Sequence, residues 1–178
     1  RVAQLLDLVG LPKTAGELID WITRSRVNRA LKLSVSHALE RLARAESHVH
    51  HFPWRRTIFH QLAQVDTLVD ITGFCVGLET FRIRSVYSSP IPLGNAYQDP
   101  RGKWRPEPGP ATRVLLRRFP IRRWPNRFEW TTPTGAVLLS AFGQPDPPPP
   151  FEVKGIGHSV GHRFPPRGPS VLKLLWGK

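Results

Sequence analysis

The feature that most constrains the fold of this chain is an apolar repeat that runs through residues 27–49. Apolar residues recur there at steps of four and three: Val27, Leu31, Val35, Ala38, Leu42, Ala45 and Val49. This spacing predicts a long amphipathic helix, because it places all seven on one helical face. A chain of 178 residues is long enough to bury such a face in a core of its own.

Shorter helical patterns precede this repeat. The spacing of Val2, Leu5, Leu6 and Val9 predicts a short helix that ends at Gly10. Thr14 and Glu17 have the spacing of a capping box, so a second helix is expected to begin there.

A second long helix is predicted after Pro53, beginning around Thr57. Its expected apolar face consists of Ile58, Leu62, Val65, Val69, Thr72 and Val76. The other face carries Asp66, Asp70, Gly73 and Gly77 at steps of four, three and four. Two carboxylates beside residues that allow close approach indicate a binding site on this face.

The pattern changes to that of short elements after Phe81. A strand that contains Val86 is expected to end in a stiff turn at residues 90–94, and helices are predicted at 111–119 and 134–142, each introduced by proline. Residues 152–157 and 170–176 resemble two strands.

These elements predict an α+β fold. We expect N-terminal antiparallel helices followed by a mixed sheet with short helices, in a single compact domain with proline-rich loops. Its parts would be a helical segment at 1–52, an α/β core at 53–144, a proline-rich linker at 145–150, and a C-terminal strand pair at 151–178 that packs on the core.

Positive charge is concentrated in residues 101–130. The whole chain carries +13, with 26 Lys and Arg against 13 Asp and Glu. Basic and aromatic residues in this region form a predicted partner surface: Arg101, Lys103, Trp104, Arg105, Arg113, Arg117, Arg118, Arg122, Arg123, Trp124 and Arg127. Such a surface favours an acidic protein or a larger assembly, with nucleic acid or a solvated arginine-rich face as alternatives.

Other classes of protein are excluded by composition. The only cysteine, Cys75, rules out an internal disulfide framework and a thiolate-only metal site within one chain, and makes the cytoplasm the expected compartment. No apolar run approaches the ~20 residues of a membrane-spanning helix, and the first ten residues lack a signal-peptide pattern. Because methionine is absent, we expect a processed product or part of a longer protein.

Four sequence blocks resemble the LarC-type nickel-insertion proteins. The first is His60-Gln-Leu-Ala-Gln-Val-Asp66-Thr-Leu-Val-Asp70-Ile-Thr-Gly73, in which both aspartates match the family pattern. The second is Val86-Tyr-Ser-Ser-Pro-Ile-Pro-Leu-Gly94, and the third is Glu129-Trp-Thr-Thr-Pro-Thr-Gly135-Ala. The fourth is Ile156-Gly-His-Ser-Val-Gly161-His-Arg163, with Gly168-Pro-Ser-Val-Leu172 after it.

The resemblance implies a role in building a nickel-containing nucleotide cofactor. Family members insert nickel into a nucleotide with two thiocarboxylates, in a reaction that depends on cytidine triphosphate and a divalent metal. It also implies nickel or another divalent metal as a ligand of this chain. The family's N-terminal strand, His-rich loop and C-terminal domain have no counterpart here, so we expect the chain to be incomplete as a catalyst alone, and no catalytic residue is assigned.

The candidate site residues fall into two groups. The residues expected to bind a ligand are Asp66, Asp70, Thr132, Thr134 and Gly135. Both aspartates match the family pattern, and the hydroxyls and free N–H groups at the helix start near Thr132 can hold a phosphate. His48, His51 and His60, together with the two aspartates, are candidate metal ligands. The alternatives are a plain N-cap at Thr132, aspartates paired with arginine, and ordinary surface histidines.

Two functional hypotheses follow. In the first, the chain is a divergent nickel-insertion protein that binds metal or a nucleotide precursor. In the second, it is a non-catalytic basic adaptor or linker subunit of a larger assembly, which docks acidic partners through residues 101–130.

Overall fold

A computed structural model describes residues 12, 14–58, 64–99, 102–161 and 170–178. The helices are α1 (Ala15–Arg24), α2 (Arg29–His50), a 3-10 helix (Trp54–Arg56), α3 (Gln64–Thr80), α4 (Pro110–Leu116) and α5 (Pro133–Phe142). The strands are β1 (Val86–Tyr87), β2 (Ile91–Leu93), β3 (Ala96–Gln98), β4 (Trp104–Pro106), β5 (Ile121–Arg123), β6 (Gly143–Gln144), β7 (Val153–Val160) and β8 (Val171–Gly177). The helix predicted from Val2 to Val9 lies outside the described residues.

Helix α2 is the centre of the core and confirms the long amphipathic helix. Its inward side chains include Val35, Leu39 and Leu42, each at most 1% exposed, and α1, α3, α4 and α5 all pack against it. Burying a leucine of this kind stabilises the fold by roughly 1.5–3 kcal/mol. Val27 was expected on the buried face, but it precedes the helix and is 42% exposed.

Helix α1 begins at the predicted capping box. The Thr14 backbone N–H donates to Glu17 Oε2 at 3.0 Å, and the Glu17 N–H donates to Thr14 Oγ1 at 3.3 Å. These bonds satisfy two backbone donors that the first turn would otherwise leave unpaired. The helix then buries Leu18 and Ile22 against α2.

Helix α3 differs from its prediction in start and in buried face. Thr57 is not helical: it follows the 3-10 helix with an extended backbone, and its buried hydroxyl donates to the Ala43 carbonyl. Among its described side chains α3 buries Thr67, Ile71 and Cys75, whereas Val69 and Val76 are 62% and 43% exposed. Leu62 and the side chain of Val65, which were also predicted on the buried face, lie outside the described part of the chain. The predicted face is wrong because apolar residues occur all round this helix, so packing against α2 and α5 sets its rotation.

The only cysteine of the chain lies on the buried side of α3. Cys75 is 3% exposed, and burial raises the pKa of its thiol to about 11. Its thiol therefore stays protonated at neutral pH.

The α+β class is confirmed, with strands arranged in four separate pairs among the described residues. β1 pairs with β6 and β2 with β5, both in parallel, while β3 with β4 and β7 with β8 are antiparallel. Residues 91–93 were predicted as part of a turn, but they form β2 in register with Ile121–Arg123. Helices α4 and α5 confirm their predictions, each with proline in the first turn.

The C-terminal hairpin formed by β7 and β8 confirms the predicted strand pair. Its large apolar side chains are exposed, among them Ile156 at 57%, Leu174 at 59% and Trp176 at 52%. The expected packing of this pair on the core stays a prediction, since these side chains find no cover in the described part of the chain. Residues 145–150 before it form no helix or strand.

Among the described residues, no helix is both long enough and apolar enough to span a membrane.

Candidate functional site

A cavity of about 880 Å³, which we call the main cleft, opens where three helix ends meet. The last turn of α2 contributes Glu46 and His50, and the first turns of α4 and α5 lie across from it. The first half of α3 and the β3–β4 pair complete the walls. Small-molecule sites in proteins commonly occupy about 300–1,000 Å³, so the main cleft has the size of a ligand site.

Four of the five predicted ligand-binding residues line the main cleft together. Asp66 and Asp70 come from α3, and Thr132 and Thr134 come from the start of α5, more than sixty residues later in the chain. Gly135 does not line it; its N–H donates to Thr132 Oγ1 at 3.1 Å, which is the N-cap bond of α5. The structure thus gives Thr132 a capping role and also brings it to the cavity.

The main cleft is acidic although the chain is strongly basic. Five of the chain's 13 acidic residues line it: Glu46, Asp66, Asp70, Asp99 and Glu129. The opposing cations are Arg105 and Arg113, which leaves a formal charge of −3 with histidine counted neutral. An acidic cavity with two guanidinium groups suits a ligand that carries both a cation and an anionic group.

Of the five predicted metal ligands, only the two aspartates are seen to line the main cleft. His48 and His51 do not line the main cleft, and His60 lies outside the described residues. His50, which was not among the predicted ligands, does line it, 3.6 Å from Glu46 and stacked on Phe52. Within the described ranges, no three His, Cys, Asp or Glu side chains are grouped closely enough to hold a metal ion.

The residues of the predicted partner surface are divided among several environments. Arg105 and Arg113 line the main cleft, and Arg105 Nε lies 3.0 Å from Asp99 Oδ2. Arg122 lies over the Trp124 ring, 4.9 Å from its centroid. All three arginines are exposed, and two of them also contact an acidic or aromatic side chain of this chain.

The other residues of the predicted partner surface also lie in different surroundings. Arg123 Nη1 donates to the Glu107 carbonyl at 3.1 Å. Lys103, Arg117 and Arg118 are exposed, and Arg101 lies outside the described residues. The partner surface therefore stays a prediction.

A smaller cavity of about 480 Å³ adjoins the main cleft. Tyr97, Gln98, Asp99 and Glu129 line both, so the two cavities share a wall built largely from β3. Trp104 and Phe128 line only the smaller one, and Arg127 lies over the Trp104 ring at 5.4 Å.

Tyr97 stands at the junction of the two cavities. Burial, followed by the nearby Glu129 carboxylate, raises the pKa of the Tyr97 phenol, so it remains a hydrogen-bond donor at neutral pH. Its hydroxyl lies 3.3 Å from the position that a Cβ of Gly109 would occupy, which explains a glycine at the N-cap of α4. The phenol thereby connects the cavity wall to the start of that helix.

Glu107 is a buried acid that the sequence did not identify as important. It is 5% exposed, and its Oε2 accepts a hydrogen bond of 2.6 Å from the Gly94 N–H. Oε1 is buried and has no hydrogen-bond partner among the described residues. Burial raises the pKa of this carboxyl to about 7, which exceeds the opposing effect of the Gly94 hydrogen bond. Its isolation as one of two acids in a basic region was the available sequence signal.

A network of hydrogen bonds around Glu107 fixes the strands beside the main cleft. Any side chain at Gly94 would overlap the Phe128 carbonyl and the Glu107 carboxyl, so glycine is required there. The Thr131 hydroxyl donates to the Pro92 carbonyl at 2.8 Å, which joins β2 to the segment before α5. The second and third sequence blocks are therefore in direct contact.

In comparisons with known proteins, the chain is similar to proteins that are described as nickel insertion proteins. A family model described as "Nickel insertion protein" matches residues 11–178. Curated relatives named "Putative nickel insertion protein" include one from Geotalea daltonii, 34% identical over 163 residues (91% of this chain, 42% of that protein). Another, from Citrifermentans bemidjiense, is 33% identical over 178 residues (99% and 42%).

A further relative has a more specific name. The "Pyridinium-3,5-bisthiocarboxylic acid mononucleotide nickel insertion protein" of Geobacillus kaustophilus is 32% identical over 163 residues, which cover 91% of this chain and 40% of that protein. The chain thus spans about two-fifths of the length of these relatives. No solved structure matches it.

Proposed function

Because this chain belongs to the nickel insertion protein family, as its four sequence blocks predicted, we propose that its main cleft binds a pyridinium mononucleotide together with the nickel ion to be inserted. The observation that carries this proposal is the meeting of Asp66, Asp70, Thr132 and Thr134 in one acidic cavity of a chain with a charge of +13. The nucleotide is that named for the Geobacillus kaustophilus relative.

Asp66 and Asp70 are the proposed contacts for nickel. They lie one helical turn apart on α3, so both carboxylates reach the same side of the cavity. Two carboxylate oxygens leave most of the coordination positions of a nickel ion open. Thiocarboxylate sulfurs of the nucleotide can fill those positions, which suits an ion that is a substrate rather than a permanent part of the protein.

The proposed contacts for the phosphate are the start of α5 and the two arginines that line the main cleft, Arg105 and Arg113. The positive end of the helix dipole lies at Thr132, and Thr134 adds a hydroxyl in the first turn. Arg113 lines the same cavity and supplies a guanidinium that can bind a phosphate through two hydrogen bonds. The phosphate would thus lie opposite the carboxylates of α3.

Binding of the mononucleotide and nickel is the role that we propose for these residues, and nickel insertion is the activity named for the longer relatives. The chain spans about two-fifths of the relatives that carry the activity in their names. No observation favours the alternative of a basic adaptor subunit, because its arginines are spread over two cavities and several internal contacts.

Calorimetric titration of the full chain with nickel tests the proposal. Replacing both aspartates, Asp66→Asn with Asp70→Asn, should weaken nickel binding about tenfold or more, because both proposed ligands lose their charge. Asp146→Asn, in the exposed segment after α5, is the matched control and should change nothing.

A second control separates the carboxylates from the histidines. His48→Ala with His51→Ala should leave nickel affinity unchanged, since neither residue lines the main cleft. The proposal is overturned if the unmodified chain binds neither nickel nor a pyridinium mononucleotide. It is also overturned if the histidine pair, rather than the aspartate pair, accounts for nickel binding.

A further inference from the structure

The smaller cavity has aromatic walls that the proposed contacts for nickel and phosphate leave unused. Tyr97, Trp104 and Phe128 are three aromatic residues among those that line this space of about 480 Å³. Trp104 is 44% exposed, which is a large apolar surface to leave in water. Aromatic side chains in such a cavity stack on planar rings of a ligand.

The charges around this cavity fit a cationic ring with acidic substituents. Asp99 and Glu129 line the wall shared with the main cleft; Asp99 is paired with Arg105, and the acidic character of this wall favours a cation against the aromatic faces. Arg127 lies over the Trp104 ring, where its guanidinium can pair with an acidic group attached to the ligand ring. A nucleobase without charge would use only the stacking surfaces.

The position of the smaller cavity agrees with the arrangement of a mononucleotide. Four residues line both cavities, so the smaller one adjoins the cleft that Thr132 and Thr134 also line. The ring would also face the side of the cleft that Asp66 and Asp70 line. A single ligand can therefore occupy both cavities.

From these observations we infer that the smaller cavity is the subsite for the ring of the mononucleotide, with Trp104 as the stacking surface and Arg127 as the contact for an acidic ring substituent. The inference rests on the proposed function, and it adds specificity for a planar cationic ring. Tyr97 and Glu129 mark the boundary between ring and phosphate positions.

Binding of nicotinic acid mononucleotide, a pyridinium mononucleotide with one ring carboxylate, tests this inference in the full chain. Trp104→Ala should weaken binding about tenfold or more, while Trp104→Phe retains an aromatic surface and most of the affinity. Trp21→Ala, which removes an equally exposed tryptophan from α1, should have no effect. Uridine 5′-monophosphate, with the same phosphate and a neutral ring, should bind about tenfold more weakly than the pyridinium compound.

The possible outcomes separate the two proposals. If nicotinic acid mononucleotide binds and Arg113→Ala weakens it, but Trp104→Ala behaves like Trp21→Ala, the ring subsite is wrong and the proposed function stands. Equal binding of the uridine compound also overturns the ring subsite. If the unmodified chain binds no mononucleotide, the proposed function fails and the ring subsite fails with it.

Discussion

Leu39 and Leu174 carry the same side chain in opposite surroundings. Leu39 of α2 is 0% exposed, whereas Leu174 of β8 is 59% exposed. The helical core buries its apolar residues between five helices, but the C-terminal hairpin presents its apolar residues to solvent on both faces. An isolated two-stranded hairpin is at best marginally stable in water. The stability of the described fold therefore resides in the helices that also form the main cleft.

The largest expected effect comes from a cavity in the core. Leu39→Ala should lower the free energy of unfolding by about 2–5 kcal/mol, because the removed methyl groups are fully buried. Leu174→Ala should lower it by less than about 0.5 kcal/mol, as expected for an exposed site. Urea denaturation followed by circular dichroism measures both. Equal losses would show that the hairpin contributes to the same cooperative core.

A second effect, which depends on pH, comes from Glu107 in the segment between β4 and α4. The pKa of Glu107 is raised from 4.5 to about 7 in the folded chain, so the carboxyl is protonated more readily when folded than when unfolded. Stability from this group is present below about pH 4.5 and is lost as the pH rises through 7, by at most on the order of 3 kcal/mol.

Glu107→Gln provides the control for that pH dependence. The amide keeps the shape of the side chain but has no proton to lose, so the decline between pH 4.5 and 7 should disappear. Urea denaturation at a series of pH values compares the two proteins. A decline of the same size in the glutamine variant would assign the pH dependence to another group.

The smallest of these effects concerns the N-cap of α5. Thr132→Ala removes the oxygen that accepts from the Gly135 N–H, which should cost about 1 kcal/mol of stability. Thr132→Ser keeps that oxygen and should retain both stability and mononucleotide binding. Thermal unfolding and calorimetry on the same samples distinguish the capping role from the proposed phosphate contact. A serine variant as destabilised as the alanine variant would contradict the capping role.

The helical core was largely predictable from sequence because its signals are local. The Thr14–Glu17 capping box and the repeat through α2 identify both helices without knowledge of their neighbours. The rotation of α3 was not predictable, since Val69 and Ile71 are equally apolar and only packing decides which is buried. Similarly, nothing local distinguishes the apolar run of β8 from that of a buried strand.

The candidate site was predictable in its parts but not in its assembly. The family resemblance identified Asp66, Asp70 and Thr132, yet their convergence depends on how α3 and α5 pack on α2. Glu107 and Tyr97 were missed because their burial arises from the β3–β4 pair and its contacts with Gly94 and Gly109. For Glu107 the only signal in the sequence was its isolation as an acid in a basic region.

The buried thiol of Cys75 has a consequence for metal traffic. Thiolates are among the strongest protein ligands for soft and borderline metal ions, and a reactive one near the cleft would hold nickel instead of passing it on. Because the pKa of Cys75 is about 11 and its side chain faces the core, this competitor is withheld at neutral pH. If the main cleft binds nickel as we propose, the ion meets oxygen and nitrogen donors there, from which the sulfurs of a thiocarboxylate nucleotide can remove it.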